Sequence, residues 1–278
     1  MEEIKSTSPD SEVVTFIEKR GEDFMLIGLN VDTTREAMEE PMHILAIHGS
    51  PSMKKGKTYL VLERFMKGTE KAGAITEVVF LQKETIGGCK GCFACWIKTP
   101  GVCSQRDDMA KLIEKLKRTD LMILATPIYV DGMTGKCKNF MDRLTPLLDP
   151  HYEVRDGHFR HVVTEKYCGK IFLISVCAFP EMDNFDPLIL HVKRVAKNLN
   201  MEYSGEILRP AVYSLDMKKG SADAVGRIME ALERAGKELV ENGTVSEKTQ
   251  QEATKEIVPK EAYIRALNRY FDDQIGRG

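Results

Sequence analysis

His43-Ile-Leu-Ala-Ile-His48, followed by Gly49-Ser-Pro-Ser-Met-Lys-Lys-Gly-Lys-Thr58, is the stretch on which the fold turns. A short apolar run ends in a loop of small and polar residues. Residues 58–71 then place Leu60, Leu62, Phe65 and Met66 at helical spacing. The stretch reads as strand, loop, helix. The same order recurs outward from it: strands over 76–81, 121–125, 171–176 and 202–208, with helices over 107–117, 134–144, 187–199 and 221–241. Asp107 and Asp108 open the second of these helices, where the helix dipole favours negative charge. Strands alternating with helices at this spacing predict an α/β fold with a parallel sheet covered on both faces. Five such units predict a doubly wound five-stranded sheet in the order 2-1-3-4-5.

The flanks read differently. Residues 1–41 form an N-terminal extension, with a helix expected over 12–20 after the capping candidates Asp10 and Ser11, a strand over 24–31, and an acidic linker or short helix over 34–41. Residues 42–245 form the α/β domain. Residues 246–278 form a charged C-terminal tail with a helix over 260–271. The polar and aromatic segment 151–167 interrupts the rhythm and reads as an inserted hairpin.

Composition bounds the function. Hydrophobic content of 42% and charged content of 29% are ordinary globular usage. A net charge of −2 without a polybasic stretch argues against a general nucleic-acid binder. The polar start MEEIKSTSPDSE is unlike a signal peptide, and no run of about 18 apolar residues predicts a membrane span. A soluble, cytoplasmic protein is expected. Four of the seven cysteines crowd into fifteen positions, which in that compartment suggests metal or redox chemistry rather than disulfides.

Three loops share the carboxyl edge of the predicted sheet, where open α/β folds bind ligands. In the first, Ser50, Ser52 and Thr58 offer hydroxyls, Gly49 and Gly56 allow close backbone approach, and a helix N-terminus supplies free N–H groups. This describes a phosphate cradle; a generic polar turn is the plainer alternative. The loop is neither a Walker A sequence nor a GxGxxG fingerprint. The second loop comprises Pro127, Ile128, Tyr129, Val130, Asp131, Gly132 and Met133. It offers flat apolar surface and backbone N–H groups to an aromatic ring, or else is a turn with an incidental tyrosine. The third, Ser175-Val-Cys-Ala-Phe-Pro180, brings Cys177 to the same edge.

With these loops in place, Gly49-Ser-Pro51, Thr126-Pro-Ile-Tyr-x-x-x-Met133 and Lys138-Asn-Phe-Met-Asp-Arg143 resemble the NADPH-dependent FMN reductase family. A cysteine loop followed by Asp107-Asp-Met109 resembles its iron–sulfur flavoprotein branch. The resemblance spans about residues 42–215. It implies a flavodoxin-like fold, FMN as cofactor, NAD(P)H as co-substrate, and subunits paired as a homodimer or homotetramer with flavins near an interface. Ser52 stands where family members often carry Arg, which leaves the phosphate to Ser50, Lys57, Thr58 and the backbone. The implied function is an FMN-dependent oxidoreductase passing hydride or electrons to an unknown acceptor: a quinone, a flavin, an aromatic compound or an iron–sulfur partner. The alternative is an electron carrier or redox module with no small-molecule substrate of its own.

Cys89-x2-Cys92-x2-Cys95-x7-Cys103 begins like the bacterial ferredoxin run and then departs from it. Three readings stay open: a [4Fe–4S] cluster, as the resemblance implies; a metal-free cysteine loop near a flavin; and a four-cysteine zinc site, although zinc more often takes two separated pairs. Trp96 inside the loop is a packing residue or a shield. Cys137, Cys168 and Cys177 read as buried small apolar residues. His151, His158 and His161 read as surface histidines rather than a metal set. Asp142-Arg143 reads as an intrachain pair or a subunit contact.

Overall fold

The computed structural model describes residues 4–8, 11–20, 23–30, 40–164, 167–216 and 222–276, and side chains from residue 40 onward. The chain divides into two compact units, Met1–Glu40 and Pro41–Gly278. In the first, β1 (Ile4–Ser8), β2 (Ser11–Arg20) and β3 (Asp23–Asn30) form an antiparallel sheet in that order. The helix expected over 12–20 is therefore a strand. Val13, Val14, Thr15 and Ile17 are β-branched, which disfavours a helix and suits a pleated surface. Pairing with β3 from Val13 to Arg20 then overrides the capping signal. Asp10 and most of the segment 34–41 lie outside the described residues.

In the second unit, β4 (His43–His48), β5 (Ile75–Phe80), β6 (Leu121–Pro127), β9 (Lys170–Val176) and β10 (Glu202–Arg209) are all parallel. Their order is β10-β9-β6-β4-β5, the predicted 2-1-3-4-5 read from the other edge. The insertion expected over 151–167 is a hairpin that begins three residues earlier: β7 (Leu148–Arg155) and β8 (His158–Val163) pair antiparallel. Along β4, side chains alternate between two cores. Ile44 and Ala46 pack with Val61, Leu62 and Phe65 of α1 (Lys57–Lys71) and with Leu232 of α6 (Ala222–Asn242). Leu45 and Ile47 pack with Leu112 of α3 (Met109–Leu116), Phe140 of α4 (Gly135–Asp142) and Leu188 of α5 (Asp186–Asn198). Period-two alternation on a sheet covered on both faces requires this near-continuous apolar strand. A short helix α2 (Ala94–Ile97) lies in the cysteine loop, and α7 (Glu247–Thr254) and α8 (Lys260–Ile275) complete the chain.

Helices α1 and α6 meet backbone to backbone at two glycines. A Cβ on Gly68 would lie 1.8 Å from Glu233 O, and one on Gly236 would lie 2.0 Å from Phe65 O. Gly68→Ala should force the pair apart and lower the unfolding free energy by about 1–3 kcal/mol, the usual cost of overpacking. Urea denaturation with an unchanged midpoint would contradict this close approach.

His48, at the end of β4, is fully buried, and neither ring nitrogen has a hydrogen-bond partner. It packs on Phe80 and Tyr59 at 5.0 and 6.0 Å between ring centroids. Burial disfavours the imidazolium and pushes the pKa down from 6.5 to about 4. Because the folded value is depressed, the unfolded chain takes up the proton first. Stability present above pH 6.5 should therefore fall as pH drops towards 4, by up to about 3 kcal/mol. His48→Phe should flatten that part of the stability–pH curve, which denaturation at several pH values would reveal.

Candidate functional site

The first loop is shaped by what it leaves unpaired. Helix α1 starts behind Gly56 with no side-chain cap and no acidic residue in its first turn. Its first N–H groups are thus left for an anion. Thr58 and Ser50 are 1% and 5% exposed, yet their hydroxyls bond to no group among the described residues. Gly56 makes room: a Cβ there would sit 2.9 Å from Ser52 Cβ and 3.2 Å from Ser50 Oγ. The loop is tied to the sheet by the Gly49 N–H donating to Ala125 O and the Thr134 hydroxyl donating to Gly49 O.

Ser50, Ser52, Lys57, Thr58, Pro127, Ile128 and Tyr129 come together around one cleft of about 250 Å³. The rest of the second loop does not join them. Tyr129 and Gly132 exchange backbone hydrogen bonds of 2.9 and 3.1 Å across Val130 and Asp131, which have φ of 47° and 57°. That is the geometry of a two-residue hairpin turn. Val130 is fully exposed at its tip, and Met133 turns back into the core. A β-branched residue with positive φ is a strained choice, held here by the two Tyr129–Gly132 backbone hydrogen bonds.

Cys177 also stays out of the cleft. Its thiol lies in the core and accepts a hydrogen bond from the Phe179 N–H, while its neighbours Val176 and Ala178 line the wall. Burial raises its pKa. Val212 and Tyr213, after β10, supply a wall that the motifs did not indicate. Their position after the fifth strand of the sheet is the signal that would have found them. Lys57 lines the cleft but spends its ammonium on an ion pair with Asp216.

The four-cysteine loop is organised by Arg143, which is 1% exposed. Nη1 and Nη2 donate to the two oxygens of Asp107 at 2.6 and 2.9 Å. Nη1 also donates to Gly87 O at 2.9 Å, and Nη2 to Cys103 Sγ at 3.4 Å. The pair named from the sequence, Asp142-Arg143, is thus split: Asp142 binds Lys138 one turn earlier. Left-handed Gly91 and Phe93, with φ of 60° and 53°, coil the backbone between Cys89 and Cys95. Burial raises the Cys95 pKa, and the neighbouring charges of Cys103, Cys89 and Cys92 raise it further. The N–H of Ala94 and the Ser104 hydroxyl lower that of exposed Cys92. Among the described residues, no group of three His, Cys, Asp or Glu side chains is arranged as a metal site. The donor chemistry suits a thiophilic metal or cluster, whose binding requires those thiols to lose their protons.

Trp96 packs rather than facing the cleft. It stacks on Phe93 at 5.3 Å, meets His161 at 4.7 Å, and donates from Nε1 to Thr145 O at 3.2 Å. His161 is therefore a packing residue of the β7–β8 hairpin, while His151 and His158 lie exposed. Cys137 and Cys168 are buried, as their sequence context predicts.

Fold and cleft together define a doubly wound, flavodoxin-like α/β protein with a cleft at the carboxyl edge of its sheet. Residues 42–167 match the family model of NADPH-dependent FMN reductase. An iron–sulfur flavoprotein of Archaeoglobus fulgidus is 38% identical over 123 residues, covering 44% of this chain and 59% of that protein. The chain thus spans about three fifths of the length of that relative. An NAD(P)H:quinone oxidoreductase from Methanothermobacter marburgensis superposes with a TM-score of 0.53 at 18% identity, over 72% of this chain and 97% of that one. An FMN-dependent NADH-azoreductase from Bacillus anthracis gives 0.52 at 10% identity, over 72% and 99%. These two likenesses concern the fold. No helix among the described residues is long and apolar enough to cross a membrane.

Proposed function

We propose that this chain is an FMN-dependent NAD(P)H oxidoreductase that passes electrons to a quinone, a flavin, an aromatic compound or an iron–sulfur partner. The observation that carries the reading is the loop itself: the hydroxyls of the nearly buried Ser50 and Thr58, unpaired among the described residues, and an uncapped helix N-terminus line one cleft with Pro127 to Tyr129. These donors suit a phosphate monoester, and Pro127, Ile128 and Tyr129 beside them would lie against the flavin end. FMN would supply hydride acceptance and one- or two-electron exchange. Ser50, Thr58 and the first-turn N–H groups of α1 would bind its phosphate, with Ser52 at the rim and Lys57 adding positive charge although paired with Asp216. The backbone around Pro127, Ile128 and Tyr129 would orient the ring, and Val176, Ala178 and Val212 would keep water from its far side. Positioning of this kind needs no strong acid or base from the protein. The test is anaerobic addition of NADPH, then NADH, to FMN-loaded protein, following the flavin absorption band. Rapid bleaching supports the reductase; bleaching only by a chemical reductant would overturn it.

A second reading rests on the cysteine loop: one [4Fe–4S] cluster held by Cys89, Cys92, Cys95 and Cys103, in a protein that carries electrons between partners. The Cys89-x2-Cys92-x2-Cys95 spacing and the buried Arg143 donating to Cys103 favour it. Iron and acid-labile sulfide assays on anaerobically prepared protein test it, and less than about one iron per chain with FMN bound would end it. The reading includes a cytoplasmic setting, where such thiols stay reduced. It also includes assembly as a homodimer or homotetramer, which sedimentation at micromolar concentration checks.

A further inference from the structure

The C-terminal residues carry no chemistry of their own in the sequence, yet the structure builds them onto the walls of the cleft. Arg209, at the end of β10, is 1% exposed. Its Nη1 donates to Ala253 O and Lys255 O at 3.2 and 2.8 Å, and its Nη2 donates to Ser214 Oγ at 3.1 Å. One buried guanidinium therefore joins the end of α7 to the turn that carries Tyr213. On α8, Tyr263 is buried and donates from its hydroxyl to Ala178 O at 2.7 Å. Ala178 and Tyr213 both line the cleft. The tail is thereby anchored to two of its walls.

Beyond that anchor, α8 continues the stripe of Tyr263 through Ala266, Leu267, Tyr270 and Phe271, at helical spacings of three and four. This part of the stripe does not close onto the chain. It faces Tyr213 and Asp216 across a cavity of about 610 Å³, and Tyr270 and Phe271 stay 57% and 56% exposed. The volume lies within the range of small-molecule sites. Tyr213 is common to this cavity and the cleft, and Asp216 is ion-paired with Lys57 of the cleft.

We propose that this cavity binds a planar aromatic electron acceptor, a ring system of quinone or flavin size, beside the FMN cleft. The proposal rests on the reading of that cleft as the FMN site. Among the described lining residues, Tyr213, Tyr270, Phe271, Ala266 and Leu267 offer flat, apolar contact, and the carboxylate of Asp216 is already neutralised by Lys57. Such a lining selects an uncharged ring over a phosphate or a sugar. Its continuity with the cleft through Tyr213 places the ligand next to the electron source. Balance is simple: NAD(P)H gives a hydride, solvent gives a proton, and the acceptor leaves with two more electrons and two more protons, as a quinol or a dihydroflavin.

The test uses the full chain loaded with FMN, wild type beside the double variants Tyr270→Ser, Phe271→Ser and Tyr270→Leu, Phe271→Leu. The probes are 1,4-naphthoquinone and, separately, riboflavin. The serine variant should raise the KM for the accepted probe at least about tenfold, equivalent to about 1.4 kcal/mol. FMN content, anaerobic bleaching by NADPH and sedimentation should not change. The leucine variant keeps the stripe apolar and should also raise that KM, because the flat rings are gone. The probe whose KM moves identifies the class as quinone or flavin. An unchanged KM for both probes would overturn the proposal. So would a changed sedimentation coefficient with KM unaltered, which would make the stripe an interface between copies of the chain. Wild-type protein without FMN, or unbleached by NADPH, would instead overturn the reading of the cleft, and that is visible before any variant is made.

Discussion

Arg143→Met should lower the stability of the Pro41–Gly278 unit by about 3–5 kcal/mol, the usual cost of removing one partner of a buried ion pair. The substitution keeps the apolar stem and deletes four donated hydrogen bonds, two of them to Asp107. Asp107 would then be left 10% exposed without its counter-charge. Chemical denaturation measures the loss. Arg143→Met with Asp107→Leu should recover much of it, because the larger part of the cost is the stranded carboxylate. A single variant as stable as wild type would show that this network is incidental.

The same pair sets an acid limit. Burial works against the charge of Asp107, but hydrogen bonds from Arg143 and from the N–H groups of Gly87 and Met109 outweigh it and hold the carboxyl below the usual range. A depressed folded value means that the stabilisation is present above the unfolded pKa near 4 and is lost as pH falls through the lower folded value. This acid limit lies below the window assigned to His48, so the two can be separated by variant.

Ser50→Ala combined with Thr58→Ala is expected to weaken FMN binding by a few kcal/mol, about 1.5–3 for each hydrogen bond to a charged phosphate. That corresponds to a dissociation constant raised roughly 10²–10⁴-fold. Both side chains are nearly buried, and neither hydroxyl has a partner among the described residues, so alanine removes a ligand contact without breaking an internal one seen there. Equilibrium dialysis or quenching of flavin fluorescence gives the constant. Folding stability without FMN should change little. An unchanged affinity would remove the first loop from the site and leave the cleft without its anchor.

How far these expectations could be read from the chain depends on the range of the interactions behind them. The strand, loop and helix around Ile44 to Thr58 follow from local periodicity and turn chemistry. Repeated five times, that unit determines a parallel sheet and, with it, the edge at which loops gather. Ser50, Ser52, Thr58 and Pro127 to Tyr129 are legible for this reason: each lies at the end of a strand, in the loop after it or in the first turn of the helix that follows. The strand β2 was not, because its cap and its β-branched run point in opposite directions and only pairing with β3 decides between them. The same limit applies at the site. Whether Cys177 faces the cleft or the core is a matter of strand parity at its last residue, and the core took it. Asp107 and Arg143 are 36 residues apart, Tyr263 and Ala178 are 85 apart, and no local pattern links either pair. The sequence by itself determined the sheet, its order and the loops of the cradle. Only the tertiary structure decided that Arg143 holds the cysteine loop and that the tail is anchored to the cleft's walls, because a buried charge or hydroxyl takes whichever distant partner the packed chain brings within reach.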